Sequence, residues 1–152
     1  MPESRSSVAA ILRRHTRIAI DSNVLIYLLE GSGARADRSA TIVDAIGRGE
    51  VEGAMSSIAI AEILVPAAQR NDGVGFEQLA ATIRDLGVRV IALDAALAED
   101  AAWIRGRTGA GMPDAIHLAS ARAAEATVFV SNDRRLPILP HLEIAILDDL
   151  VA

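Results

Sequence analysis

Two spacings of apolar residues alternate along the chain. Short runs rich in apolar and β-branched residues at 17–21, 88–93, 127–131 and 142–147 have the length and composition of strands, and residues 52–56 read as a weaker second strand marked mainly by position. Between them lie runs at helical spacing, the clearest being Phe76, Leu79, Ala80, Ile83 and Leu86, closed by Gly87. The pattern predicts further helices over residues 24–30, broken by Gly31-Ser32-Gly33, and 36–48, stopped by Gly47 and Gly49. Ser57 is placed to cap a helix carrying residues 58–65 into Pro66, and Asp94 to cap one over residues 97–105. Residues 106–111 read as a flexible link, and Pro113 opens a last helix to residue 124. Strands separated by one or two helices imply right-handed crossovers. A mainly parallel sheet of four or five strands with helices on both faces follows.

Composition narrows this picture. A chain of 152 residues can bury a real core in one domain, expected over residues 17–150 behind an N-terminal extension at 1–16. Apolar residues make up 51% and aromatics only 3%, so the core must be built from Ala, Ile, Leu and Val. The absence of cysteine removes disulfides, thiolate metal sites and cysteine nucleophiles, and suits a reducing cytoplasm, the expected location. All 15 basic residues are arginine. Without lysine there is no Walker phosphate loop, no Schiff base and no receiver-domain lysine. A net charge of −5 argues against nucleic-acid binding by diffuse positive charge, but not against a nuclease whose acids hold cations. No run approaches the ~20 apolar residues of a membrane span, so no membrane partner is expected.

Most of the 20 acids fall at caps, turns or polar helix faces. Four do not. Asp21 ends the first strand and Asp133 follows the fourth by two residues, which puts both at the carboxyl edge of the sheet, where ligands of open α/β folds collect. Glu62 interrupts the apolar run Ile58 to Val65, where a buried carboxylate needs a partner or a metal and no basic residue lies within helical reach. Asp114 occupies a helix first turn, a place favoured by the dipole alone. Carboxylates converging on one point repel unless cations neutralise them, and hard oxygen donors with few His and no Cys suit Mg²⁺ or Mn²⁺ better than Zn²⁺. Arg134 and Arg135 stand where they could contact phosphate. His117 shares the face of Asp114 and reads as a packing histidine that could alternatively touch substrate.

With these residues in place the chain resembles the PIN domain family, and within it the VapC-type ribonuclease toxins of bacterial toxin–antitoxin pairs. The resemblance spans residues 18–147 and rests on Ile20-Asp21-Ser22-Asn23-Val24-Leu25-Ile26-Tyr27, Ser57 to Ile63 around Glu62, Met112-Pro113-Asp114-Ala115-Ile116, and Val130-Ser131-Asn132-Asp133-Arg134. It implies a three-layer α/β/α sandwich and a Mg²⁺- or Mn²⁺-dependent endoribonuclease. Asp21, Glu62, Asp114 and Asp133 match the family's metal-binding quartet. Ser22 and Ser131 keep a hydroxyl where threonine is more frequent, and Asn23 matches the residue that orders the first acid. The resemblance also implies a homodimer and a cognate antitoxin that reaches into the acidic groove. Two other readings compete with cleavage of RNA. One is a non-catalytic PIN-like module that binds RNA or protein, and the other is a phosphatase or receiver-type domain with Asp21 as nucleophile.

Overall fold

The computed structural model describes residues 6–151. Five strands, β1 (Arg17–Ile20), β2 (Glu52–Ser56), β3 (Arg89–Ile91), β4 (Val128–Ser131) and β5 (Glu143–Ile146), form one sheet in the order β3-β2-β1-β4-β5. Every pairing is parallel. Alternate residues of each strand serve different layers. Ile18, Ile20, Met55, Val128 and Val130 enter one core, and Ala19, Ala54, Ile91 and Phe129 the other. The first core is covered by α2 (Ser22–Glu30), α3 (Ala34–Gly47), α4 (Ser57–Gln69) and α5 (Gly73–Arg84), the second by α6 (Ala95–Thr108) and α7 (Met112–Ala123). This is the three-layer α/β/α sandwich that the sequence resemblance implies.

The sequence misjudged several boundaries. The cap of α4 is Ser56, which accepts from the Ile58 N–H, while the Ser57 hydroxyl accepts from the Leu93 N–H and holds the end of β3. Residues 106–108 continue α6 instead of forming a link. Thr108 bonds back to the Ile104 carbonyl, and left-handed Gly109 closes the helix. Of the proposed extension, residues 1–5 lie outside the described residues. The remainder carries α1 (Val8–Arg14), whose Val8 and Ile11 are buried in the first core. Val8 N–H donates to Val151 O, so α1 is held by the far end of the chain.

Gly53 at the start of β2 is fixed by packing. A Cβ there would overlap three side-chain atoms of buried Ile46, including Cγ2 at 2.6 Å. Gly53→Ala is expected to lose about 1–3 kcal/mol by overpacking, read from urea or thermal melts. A variant as stable as the parent would show that α3 can yield at this contact.

Candidate active site

The carboxyl edge of β1 and β4 is joined by a single hydroxyl. Asp21 N–H donates to Val130 O at 2.9 Å, extending the β1–β4 pairing by one residue and setting Asp21 beside Ser131. As N-cap of α2, Asp21 accepts from the Ser22 N–H at 2.8 Å, and the Ser22 hydroxyl lies at 3.4 Å from the same oxygen. The Ser131 hydroxyl donates to the other oxygen, Oδ2, at 2.7 Å. It also accepts from Asn23 Nδ2 at 3.2 Å and from the Asp133 N–H at 3.0 Å. One buried oxygen thus orients Asp21, the first turn of α2 and the loop carrying Asp133.

Both arginines after Asp133 are already paired. Arg135 closes on Asp133, with Nε and Nη2 each 3.0 Å from a carboxylate oxygen, and its N–H adds a third bond. These bonds hold the Asp133 carboxyl below the usual carboxylate range. Arg134 forms two bonds to Asp149, at 2.9 and 2.6 Å. Neither guanidinium is a free phosphate donor in this arrangement.

Asp114 lies in the first turn of α7, half-buried. Burial, and then the charges of Asp133 and Asp21, push its carboxyl above the usual range. Asp114 is therefore close enough to feel the charges of both other acids.

Glu62 differs from its sequence reading. The apolar run around it is not buried on all sides, because α4 turns Ala59, Ile63, Leu64 and Ala67 inward and leaves Ala61 and Val65 outside. The Glu62 side chain is 41% exposed. Its partner comes from elsewhere in the chain. His117 Nε2 lies 2.6 Å from Glu62 Oε1 and 3.6 Å from Asp21 Oδ1. His117 is 2% exposed, and its ring lies 6.3 Å from that of Phe129. α4 and α7 cover opposite faces of the sheet, so this contact crosses above the strand ends. Packing alone was the first expectation for His117. The i, i+3 spacing from Asp114 was the only sequence signal that it belongs to the edge.

The residues fit a hard divalent cation in donor chemistry and in charge. Asp21, Glu62, Asp114 and Asp133 offer only oxygen, and His117 and Arg135 leave Asp114 still repelled by its neighbours. Among the described residues, no group of three or more His, Asp or Glu is already closed around a common point. A carboxyl with a raised folded pKa costs stability as pH rises from the ordinary carboxylate value through the raised one. Asp114→Asn is therefore expected to be more stable than the parent at pH 7 without divalent ions. The gap should close below about pH 3, where the carboxyl is protonated in both states. Urea melts at the two pH values check this, and a gap independent of pH would remove repulsion as its cause.

An all-parallel sandwich with Asp21 and Asp133 at the carboxyl ends of its central strands defines an acidic-edged α/β domain. The PIN domain model matches residues 18–142, and the chain belongs to the PIN domain family. No curated protein matches it by sequence. Among solved structures it is similar to FitAcB from Neisseria gonorrhoeae, with 21% identity over 88% of this chain and 99% of that one and a TM-score of 0.68. VapBC2 from Rickettsia felis, bound to a DNA fragment from their promoter, is similar at 17% identity over 86% and 98%, with a TM-score of 0.67. A toxin–antitoxin complex from Klebsiella pneumoniae is similar at 20% identity over 82% and 94%, with a TM-score of 0.60. At these identities the likeness establishes the shared fold. Among the described residues, no helix is long and apolar enough to cross a membrane.

Proposed function

We propose that this chain is a divalent-metal-dependent endoribonuclease acting in the cytoplasm, the VapC-type toxin of a toxin–antitoxin pair. The observation that carries the reading is the electrostatic coupling of Asp114 to Asp133 and Asp21, with Glu62 linked to Asp21 through His117. In this reading Asp21, Glu62, Asp114 and Asp133 hold Mg²⁺ or Mn²⁺. When bound, such a cation lowers the pKa of its water and offsets phosphoryl charge.

The chain's own groups supply orientation. Ser22 and Ser131 fix the two oxygens of Asp21, and Asn23 fixes Ser131. Arg135, at the rim and 87% exposed, can exchange Asp133 for a substrate phosphate. Arg134 would have to leave Asp149 to do the same. An antitoxin segment bearing arginine would complement the acidic edge, and the toxin–antitoxin complexes of like fold support such a partner. Exposed Ile26 and Leu29 on α2 and Val65 on neighbouring α4 support a homodimer.

The test is cleavage of a single-stranded RNA by purified protein with Mg²⁺ or Mn²⁺, its loss on chelation and its return on adding the metal back. Cleavage that survives chelation overturns the reading. The double engagement of Asp133 by Arg135 favours a second reading, a non-catalytic PIN-like module that binds RNA or protein. A wild-type chain that gives no heat on titration with Mn²⁺ and cleaves no RNA would decide for it.

A further inference from the structure

We propose that His117 is the positioning residue of Glu62, holding its carboxylate over the strand ends so that it can join Asp21 in binding a divalent cation. The inference rests on the metal-dependent reading above and assigns a role to a residue that the acidic quartet leaves out.

Glu62 has reason to leave the site. Its side chain is 41% exposed and stands on the outer part of α4, where solvent is open to it. Among the described residues, His117 is its one hydrogen-bond or ion-pair partner. The histidine itself has little freedom. It is 2% exposed, is fixed on α7 between Leu118 and Ala115 of the second core, and lies beside Phe129.

The ring's other nitrogen supports a directed role. Nδ1 is buried with no hydrogen-bond partner, so the ring's one polar contact of hydrogen-bond length is made by Nε2. A histidine retained for packing alone would leave both nitrogens costly to bury. Here the orphaned Nδ1 is tolerated while Nε2 donates to Glu62 and faces Asp21 Oδ1 at 3.6 Å. A rigid donor behind a ligating carboxylate is a common way to fix a metal ligand, and its loss typically costs 10–100-fold in metal affinity.

The experiment is titration of metal-free protein with Mn²⁺ alone, by calorimetry and by the paramagnetic resonance of free Mn²⁺. Two polar replacements separate position from packing. Glutamine at 117 places its amide near the Nε2 position, and asparagine places it near Nδ1. His117→Asn is expected to weaken Mn²⁺ binding about 10–100-fold, and His117→Gln to recover most of it. In the His117→Asn/Glu62→Gln double variant the loss should equal that of Glu62→Gln alone, because both changes remove the same placed carboxylate. Thermal melts establish that each variant is folded, and an unfolded His117→Asn leaves His117→Gln and the Glu62→Gln comparison to decide. Parent-like Mn²⁺ affinity in a folded His117→Asn, with Glu62→Gln weakened, overturns the inference and leaves the metal reading intact. Absence of Mn²⁺ binding by the parent overturns both. A folded His117→Gln that loses as much Mn²⁺ affinity as His117→Asn would show that the position of the donor is not what matters and also overturn it.

Discussion

Asp21→Asn is expected to lower RNA cleavage by about 10³-fold, corresponding to the ~4 kcal/mol that losing one preorganised electrostatic group costs in other active sites. Asp21 is the hub of the edge, touching Ser22, Ser131 and the neighbourhood of His117. Asparagine keeps the side-chain oxygen that caps α2 but loses the second acceptor and the charge. The Ser131 hydroxyl already accepts from Asn23 and from the Asp133 N–H, so it cannot easily turn to accept from the new amide as well. That single loss is offset by relief of the repulsion felt at Asp114. The variant should therefore be inactive yet melt within a few degrees of the parent in metal-free buffer. Single-turnover cleavage and melting curves measured on the same preparation check both halves. Cleavage within tenfold of the parent would remove Asp21 from the chemistry.

Phe129→Ala is expected to be the most damaging core truncation, costing about 3–5 kcal/mol. For a domain of this size that lowers the melting temperature by roughly 10 °C. Phe129 is 1% exposed and sits on β4 in the interior of the sheet. Its core is unusually fine-grained, with Ala19, Ala54, Ala115 and Ala119 in the same cluster. Alanine side chains have no rotamers with which to fill a ring-sized hole, so the cavity should persist. The ring also backs His117, so cleavage by the folded fraction should fall as well. Urea melts give the stability loss, and a loss under about 1 kcal/mol would mean that α7 settles into the gap.

What could be read in advance follows from the range of each interaction. Strand ends, the parallel arrangement and three of the acids are local: a run stops, a carboxylate follows, and topology aligns the edges. β2 has the bounds expected of it. Glu62 was singled out for burial that it does not have, and its partner His117 lies 55 residues further along, beyond any helical spacing. The seal of α1 by Val151 spans almost the whole chain and has no local signature. Gly106 was taken as a break because glycine disfavours helix interiors, yet helix continuity through Thr108 and the left-handed Gly109 outweigh that preference. The Arg135–Asp133 pair was within reach of the sequence, two residues apart, but pairing by i, i+2 is a loop geometry that periodicity does not reveal.

The bond between Ser131 and Asp21 also sets when the site comes into being. The two residues are separated by 110 positions, and both β4 and its neighbour Asp133 lie near the end of the chain. At about 5–20 residues per second, translation leaves an interval of roughly 5–20 s between synthesis of the first acid and synthesis of the hydroxyl that orients it. During that interval the nascent chain carries Asp21 at the end of a strand that has β2 to pair with but not yet β4, and without Asp133. Fragments that stop short of Ser131 lack the hydroxyl that orients Asp21 and, with it, the loop that carries Asp133.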